Sequence, residues 1–180
     1  RPPATMSPLR PTLLWASRNA LLRRHVPRWR FVRRATRRFL PGEDLAAALD
    51  AAERFRADGI GAWLTHLGEN LASLAEAEAV ADHYEDALRQ ARQRGLAAEI
   101  SVKPTQLGLD LDEAAMLGHL RRLAAAQAAA GGMLWLDMED HATVDRTLAA
   151  ARALRAEGLA VGVCLQAYLR RTPAELEALA

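Results

Sequence analysis

Glycines at positions 59, 95, 131 and 158 each end a long Ala/Leu/Arg/Glu stretch and open a short apolar run. Glycine takes the left-handed backbone that closes a helix at no steric cost. The runs that follow read IGAWLTHLGEN, LAAEISVKPTQ, GMLWLDMEDH and LAVGVCLQAY. The glycines are 36, 36 and 27 residues apart, a spacing that suits one strand plus the crossover helix that parallel pairing requires. The chain therefore reads as consecutive βα units. Strand cores at 61–65, 98–103, 133–137 and 160–166 are apolar on both faces, as strands covered on two sides are.

Helix starts carry their own marks. Ser73 with Glu76, Asp110 with Glu113 and Thr172 with Glu175 are spaced as capping boxes, and Pro173 suits a first helical position. Thr143 opens the remaining helix less distinctly.

This is an α/β pattern, compatible with half of a (βα)8 TIM-type barrel or with a small doubly wound sheet. The first loop, THLGEN, holds one glycine where the dinucleotide fingerprint needs three, which argues against a Rossmann domain. A full barrel takes about 250 residues. With 180 residues and a last stretch, ELEALA, still helical in pattern, the expectation is the first four βα units of a truncated barrel.

Charge divides the chain. Residues 1–40 hold 11 arginines and no acid, whereas the rest holds 13 bases against 22 acids, a balance of −9. Apolar spacing over 7–40, broken by Pro27, predicts two short basic helices. The turn LPGED at 40–44 then marks the boundary, giving a basic helical segment 1–40 and a βα domain 41–180. Such a segment fits a transit peptide, a membrane-surface anchor, a nucleic-acid arm or a helix that simply precedes an acidic domain. Cys164 is the only cysteine, so an intrachain disulfide is excluded and a reducing, cytoplasmic compartment is the default expectation. No apolar stretch approaches the ~18 residues of a spanning helix.

In parallel βα folds the chemistry lies at the C-terminal strand ends. Those positions hold Thr65, His66 and Glu69, then Lys103, Thr105 and Gln106, then Asp137, Glu139, Asp140 and His141, then Gln166, Tyr168, Arg170 and Arg171. Lys103 is the only lysine among 24 basic residues, so an arginine-biased sequence keeps an amine at this place. It could hold a carboxylate, form a Schiff base or pair with Asp137. Asp137 and Glu139, two apart, suit acid/base or ligand roles, while Glu139 and Asp140 equally suit a helix start. His66 and His141 lack a third partner with convincing spacing, so no metal site is expected. The amide of Gln166 suits the edge of a heterocycle or a buried structural bond. Cys164 reads as packing.

The strings SVKPTQLGLDLDE (101–113), LDMEDHATVDRTL (136–148) and VGVCLQAYLRRTPAELEAL (161–179) together resemble the bacterial proline dehydrogenase family, with weaker matches in RFLPGEDLAAAL and HLGEN. The resemblance implies a distorted (βα)8 barrel that binds FAD. It implies oxidation of L-proline to Δ1-pyrroline-5-carboxylate, with electrons passed to a membrane quinone and peripheral inner-membrane contact through the basic segment. No nucleic-acid partner is implied. By position, Lys103 matches the lysine beside substrate carboxylate and flavin, Asp137 the aspartate of the proline pocket, and Gln166 the glutamine on the isoalloxazine. Met138 and Tyr168 fall in strings that line the flavin or substrate pocket.

Two positions depart from the family pattern: Pro104 stands where an aliphatic residue is usual, and Thr65 where an acid is common. The family's fifth-strand arginine and its C-terminal tyrosine and paired arginines fall after residue 180, and Arg170–Arg171 are not that pair. The half-barrel alone is expected to bind flavin poorly and to turn over no proline. Other readings of the residues themselves are a Schiff-base lyase on Lys103 and a non-enzymatic module binding through its basic arm.

Overall fold

The computed structural model describes residues 44–68 and 71–179, together with Asn19, Trp29, Leu40 and Gly42. The two basic helices expected within 7–40, and Glu69, lie outside the described residues. The chain divides into two compact units, Arg1–Ala48 and Leu49–Ala180. The second unit carries the sheet.

Its elements alternate. Helix α1 (Leu45–Ala57) reaches into this unit and is followed by β1 (Ala62–Leu64), α2 (Leu74–Gln93) and β2 (Ala98–Val102). A short 3-10 turn (Pro104–Leu107) leads to α3 (Glu113–Ala128), β3 (Leu134–Asp137), α4 (Val144–Ala156), β4 (Val161–Cys164) and α5 (Thr172–Leu179). The strands form one parallel sheet in chain order, β1-β2-β3-β4. The parallel βα arrangement read from the glycine spacing is thus the one observed.

The four glycines have φ between 67° and 83°. Each is followed by the same closing bond, in which the next residue's amide reaches back five positions: Ile60 to Phe55 O, Leu96 to Ala91 O, Gly132 to Gln127 O and Leu159 to Leu154 O. The left-handed residue satisfies the last helical carbonyls and aims the chain into the following strand.

Helix starts follow the expected chemistry at one of three sites. Ser73 Oγ accepts from Glu76 N, while the Glu76 carboxylate turns back to Ala72 N at 2.8 Å. At α3 the cap is Asp112, whose Oδ1 takes the amides of Ala114 and Ala115 at 2.8 and 3.1 Å. Asp110 and Glu113 instead bind Arg146 of α4, because α3 begins two residues later than that spacing assumed. Thr172 does not cap α5: it lies in the helix, and its hydroxyl donates to Gln166 O at 2.6 Å.

Packing is one-sided. Ile100, Val102, Leu134, Leu136 and Val161 face the helices and are almost wholly buried against residues such as Tyr84, Leu88, Leu120, Leu123 and Leu154. Pleating places Glu99, Ser101, Lys103, Trp135 and Asp137 on the opposite face. The expectation of strands apolar on both faces is therefore wrong for this sheet: that second face carries acids, a hydroxyl, an amine and indoles, and its Trp63 is 58% exposed. There the indoles of Trp63 and Trp135 pack 4.7 Å apart, and Gly162 gives Trp135 the room that a Cβ would fill.

Candidate active site at the C-terminal edge of the sheet

Lys103 is the last extended residue after β2, at φ −91° and ψ 119°. Pro104 fixes this, since a residue before proline avoids the helical region and proline opens the 3-10 turn. The proline is thus compatible with a well-placed lysine. Lys103 Nζ lies 3.4 Å from Asp137 Oδ2, the two side chains being 26% and 24% exposed. Asp137 ends β3 and sits in register with Cys164 on β4. Its other oxygen, Oδ1, accepts from the Ser101 hydroxyl. Burial, then the charge of Asp137, pushes the Cys164 thiol above its ordinary range, so a neutral thiol stands beside the carboxylate.

Behind these groups, Tyr84 of α2 donates to Ser101 O at 3.1 Å and accepts from His66 N at 2.9 Å. Burial raises the phenol's pKa; hydrogen bonds with His66 and Thr65 oppose this and Asp137 adds to it.

A second set of bonds joins three strand ends. Thr105 donates its hydroxyl to Glu139 Oε1 at 2.6 Å and its amide to Oε2 at 3.1 Å. The backbone oxygen of Glu139 accepts from Gln166 Nε2 at 2.7 Å. Glu139 therefore lies in the loop beyond β3, tied to the β2 turn, and does not share a strand face with Asp137. Gln166 likewise lies past β4, which ends at Cys164. The amide of Gln166 is held through its nitrogen, and its Oε1 is buried with no hydrogen-bond partner. Lys103, Asp137, Met138, Glu139 and Cys164 line one cleft of about 850 Å³.

The remaining candidates are elsewhere. Tyr168 is 80% exposed on the turn after β4. Gln106 is buried and donates to Gly68 O. His66 packs edge-on to His83 at 4.9 Å, and burial, then His83, lowers its pKa. His141 is exposed beside Asp140 at 2.8 Å. Arg171 pairs with Asp145 and Glu175. Among the described residues, no three His, Cys, Asp or Glu side chains converge as metal ligands.

Sequence reasoning missed Ser101 and the joining role of Glu139, and it left Cys164 to packing. For Ser101 a signal existed: it lies two residues before Lys103, hence on the same strand face.

Fold and site define a class first: an α/β protein with a parallel sheet, whose amine, carboxylate and amide groups gather at the C-terminal edge. Comparison with known proteins narrows this. The family model for proline dehydrogenase matches residues 48–180. Proline dehydrogenase 1 of Bacillus subtilis subsp. natto is 31% identical over 169 residues, 94% of this chain and 56% of that protein. Proline dehydrogenase of Deinococcus radiodurans is 36% identical over 140 residues, 75% of this chain and 45% of that one. Among solved structures, proline utilization A from Bdellovibrio bacteriovorus, inactivated by N-propargylglycine, superposes with a TM-score of 0.68 at 20% identity, over 78% of this chain and 18% of that one. Proline utilization A from Bradyrhizobium japonicum gives 0.60 at 21% identity, over 77% and 16%. These two likenesses establish the fold. The chain belongs to the proline dehydrogenase family. It spans about half the length of the curated relatives it matches.

Proposed function

We propose that this chain forms the first half of a (βα)8 barrel that oxidises L-proline to Δ1-pyrroline-5-carboxylate with FAD and passes the electrons to a quinone. One observation carries the reading. In a member of this family, Lys103 and Asp137 come from neighbouring strands and meet at the C-terminal edge of the sheet, in one cleft. The sequential parallel order and the uncovered second face, with Trp63 at 58% exposure, suit an arc that further βα units close.

The residues present fit a flavin. Gln166 keeps a buried, unpartnered acceptor because its nitrogen is taken by Glu139 O, which suits the N–H of a pyrimidine edge. Lys103 offers ammonium donors in the cleft. Gln166, Met138 and Lys103 would hold the group. When bound, FAD supplies a two-electron acceptor for the hydride that leaves the carbon next to proline's ring nitrogen.

The chain's own side chains do the positioning. Proline is a zwitterion, and the cleft offers one compact cation and one carboxylate. Lys103 pins the substrate carboxylate, and Asp137 faces the ring nitrogen and takes up its proton as the carbon–nitrogen double bond forms. Fixing both ends holds the reacting carbon in a single pose, the main saving in a hydride transfer. Met138 covers the pocket with apolar surface. Tyr168 stays outside this set.

The basic segment 1–40 is assigned to contact with the membrane that carries the quinone, from the cytoplasmic side. Trapping of Δ1-pyrroline-5-carboxylate with o-aminobenzaldehyde, in the full natural polypeptide supplied with L-proline and a soluble quinone, tests the reaction. Adduct formation that requires both supports it; flavin-loaded protein that yields none refutes it.

A further inference from the structure

We infer that Ser101 is a positioning residue: its hydroxyl holds one oxygen of Asp137, and so keeps that carboxylate from closing on Lys103 and leaves the amine for the substrate. This rests on the proline-oxidising reading of the same cleft.

Ser101 stands among apolar neighbours in β2. It is 6% exposed in the middle of β2 between Ile100 and Val102, where strands favour branched or aromatic side chains. A buried hydroxyl there needs a partner; Ser101 donates to Asp137 Oδ1, with the Cys164 thiol also in hydrogen-bonding contact. Its direction is fixed from behind, because Ser101 O accepts from Tyr84 Oη at 3.1 Å and the residue is in register with Trp135.

The consequence shows in the ion pair. Lys103 Nζ and Asp137 Oδ2 are 3.4 Å apart, well beyond the roughly 2.7–2.9 Å of a closed ammonium–carboxylate contact. A carboxylate free of other bonds would rotate to meet the amine. Asp137 does not, since Ser101 holds the far oxygen and the neutral Cys164 thiol flanks it. Among the described residues, the other groups around Asp137 add no second cation in contact with it: Tyr84 on α2 is an uncharged phenol, Glu139 is engaged by Thr105, and Arg146 on α4 is bound to Asp110, Glu113 and Leu109 O. Lys103 has three donors and spends one on a loose contact. The remaining donors are what a substrate carboxylate needs.

Removing the hydroxyl frees Asp137 to compete with substrate for Lys103. The expected result is weaker proline binding as the larger effect, with a smaller loss in the reacting step, in which Asp137 takes up the substrate's proton. Steady-state proline oxidation with a redox dye as acceptor, in the full natural polypeptide, reads this. Ser101→Ala is expected to raise KM for proline about tenfold, the size of one hydrogen bond to a charged group, with any fall in kcat smaller than that rise. Ser101→Cys, similar in shape with a much weaker donor, is expected to raise KM in the same direction and keeps the comparison open if the alanine protein does not fold. In an Asp137→Asn background, Ser101→Ala should raise KM no further, since the charge it restrains is gone. An unchanged KM in Ser101→Ala or Ser101→Cys, a fall confined to kcat, or full additivity with Asp137→Asn would overturn the inference. Flavin-loaded wild-type protein that does not oxidise proline would overturn the functional reading instead.

Discussion

Gly108 turns the chain after the Lys103–Leu107 segment at φ +105°, and an added Cβ would meet Leu74 Cδ2 at 3.3 Å. Any L side chain is strained there, so Gly108→Ala is expected to destabilise the fold by about 1–3 kcal/mol, read as a lower denaturant midpoint. Glu139 works at the same scale. Both its carboxylate oxygens take donors from Thr105, and Glu139→Gln would set an NH2 group against one of them. Proline turnover should fall about tenfold, and adding Thr105→Ala should cost less than the separate effects predict, because the two share one interaction. Little of this is visible in sequence. The lone lysine stands out in an arginine-rich chain, and Asp137 stands out at a strand end. That Glu139 faces backward onto Thr105 depends on where β3 stops, which no local pattern of residues specifies.

The repeating element is a helix closed by a left-handed glycine and followed by a strand. Its spacing is legible because each closure has a strong local cause. The starts are less legible: an acid three residues past a serine, threonine or aspartate is common, and α3 caps on Asp112 although Asp110 has the expected partner. The two faces of the strands are the part most misread. Tryptophan counts as apolar, yet here the indole N–H groups of Trp63 and Trp135 donate to Glu99 Oε2 at 2.9 and 2.6 Å, with Met133 N on Oε1 at 2.9 Å. Burial works against ionisation of Glu99, but these bonds from Trp135, Met133 and Trp63 outweigh it and hold its pKa below the usual 4.5. A depressed carboxylate stabilises the fold above its unfolded pKa, and that contribution is lost as pH falls through the folded value. Glu99→Gln should cost about 2 kcal/mol near neutrality. The loss of stability below pH 4.5 should also be shallower in the variant than in wild type, as urea titrations at each pH would report.

For the whole molecule, the sheet organises everything else: four parallel strands in chain order bring residues far apart in sequence, Ser101, Lys103, Asp137 and Gln166, to one edge. A parallel array was readable from glycine spacing, and the family from three strings of residues. Whether a parallel array closes into a barrel depends on strand number and tilt, which the spacing of these four units does not encode. Central to all of this is the proposal that Lys103 and Asp137 form the proline site of a flavoenzyme. The most direct test records the visible flavin spectrum of the full natural polypeptide without oxygen, before and after L-proline, in wild type and in Lys103→Ala. Bleaching of the flavin band by proline in wild type, lost or at least about a hundredfold slower in the variant, is the result expected. A bound flavin that proline leaves oxidised, or bleaching that is unaffected by Lys103→Ala, would contradict it.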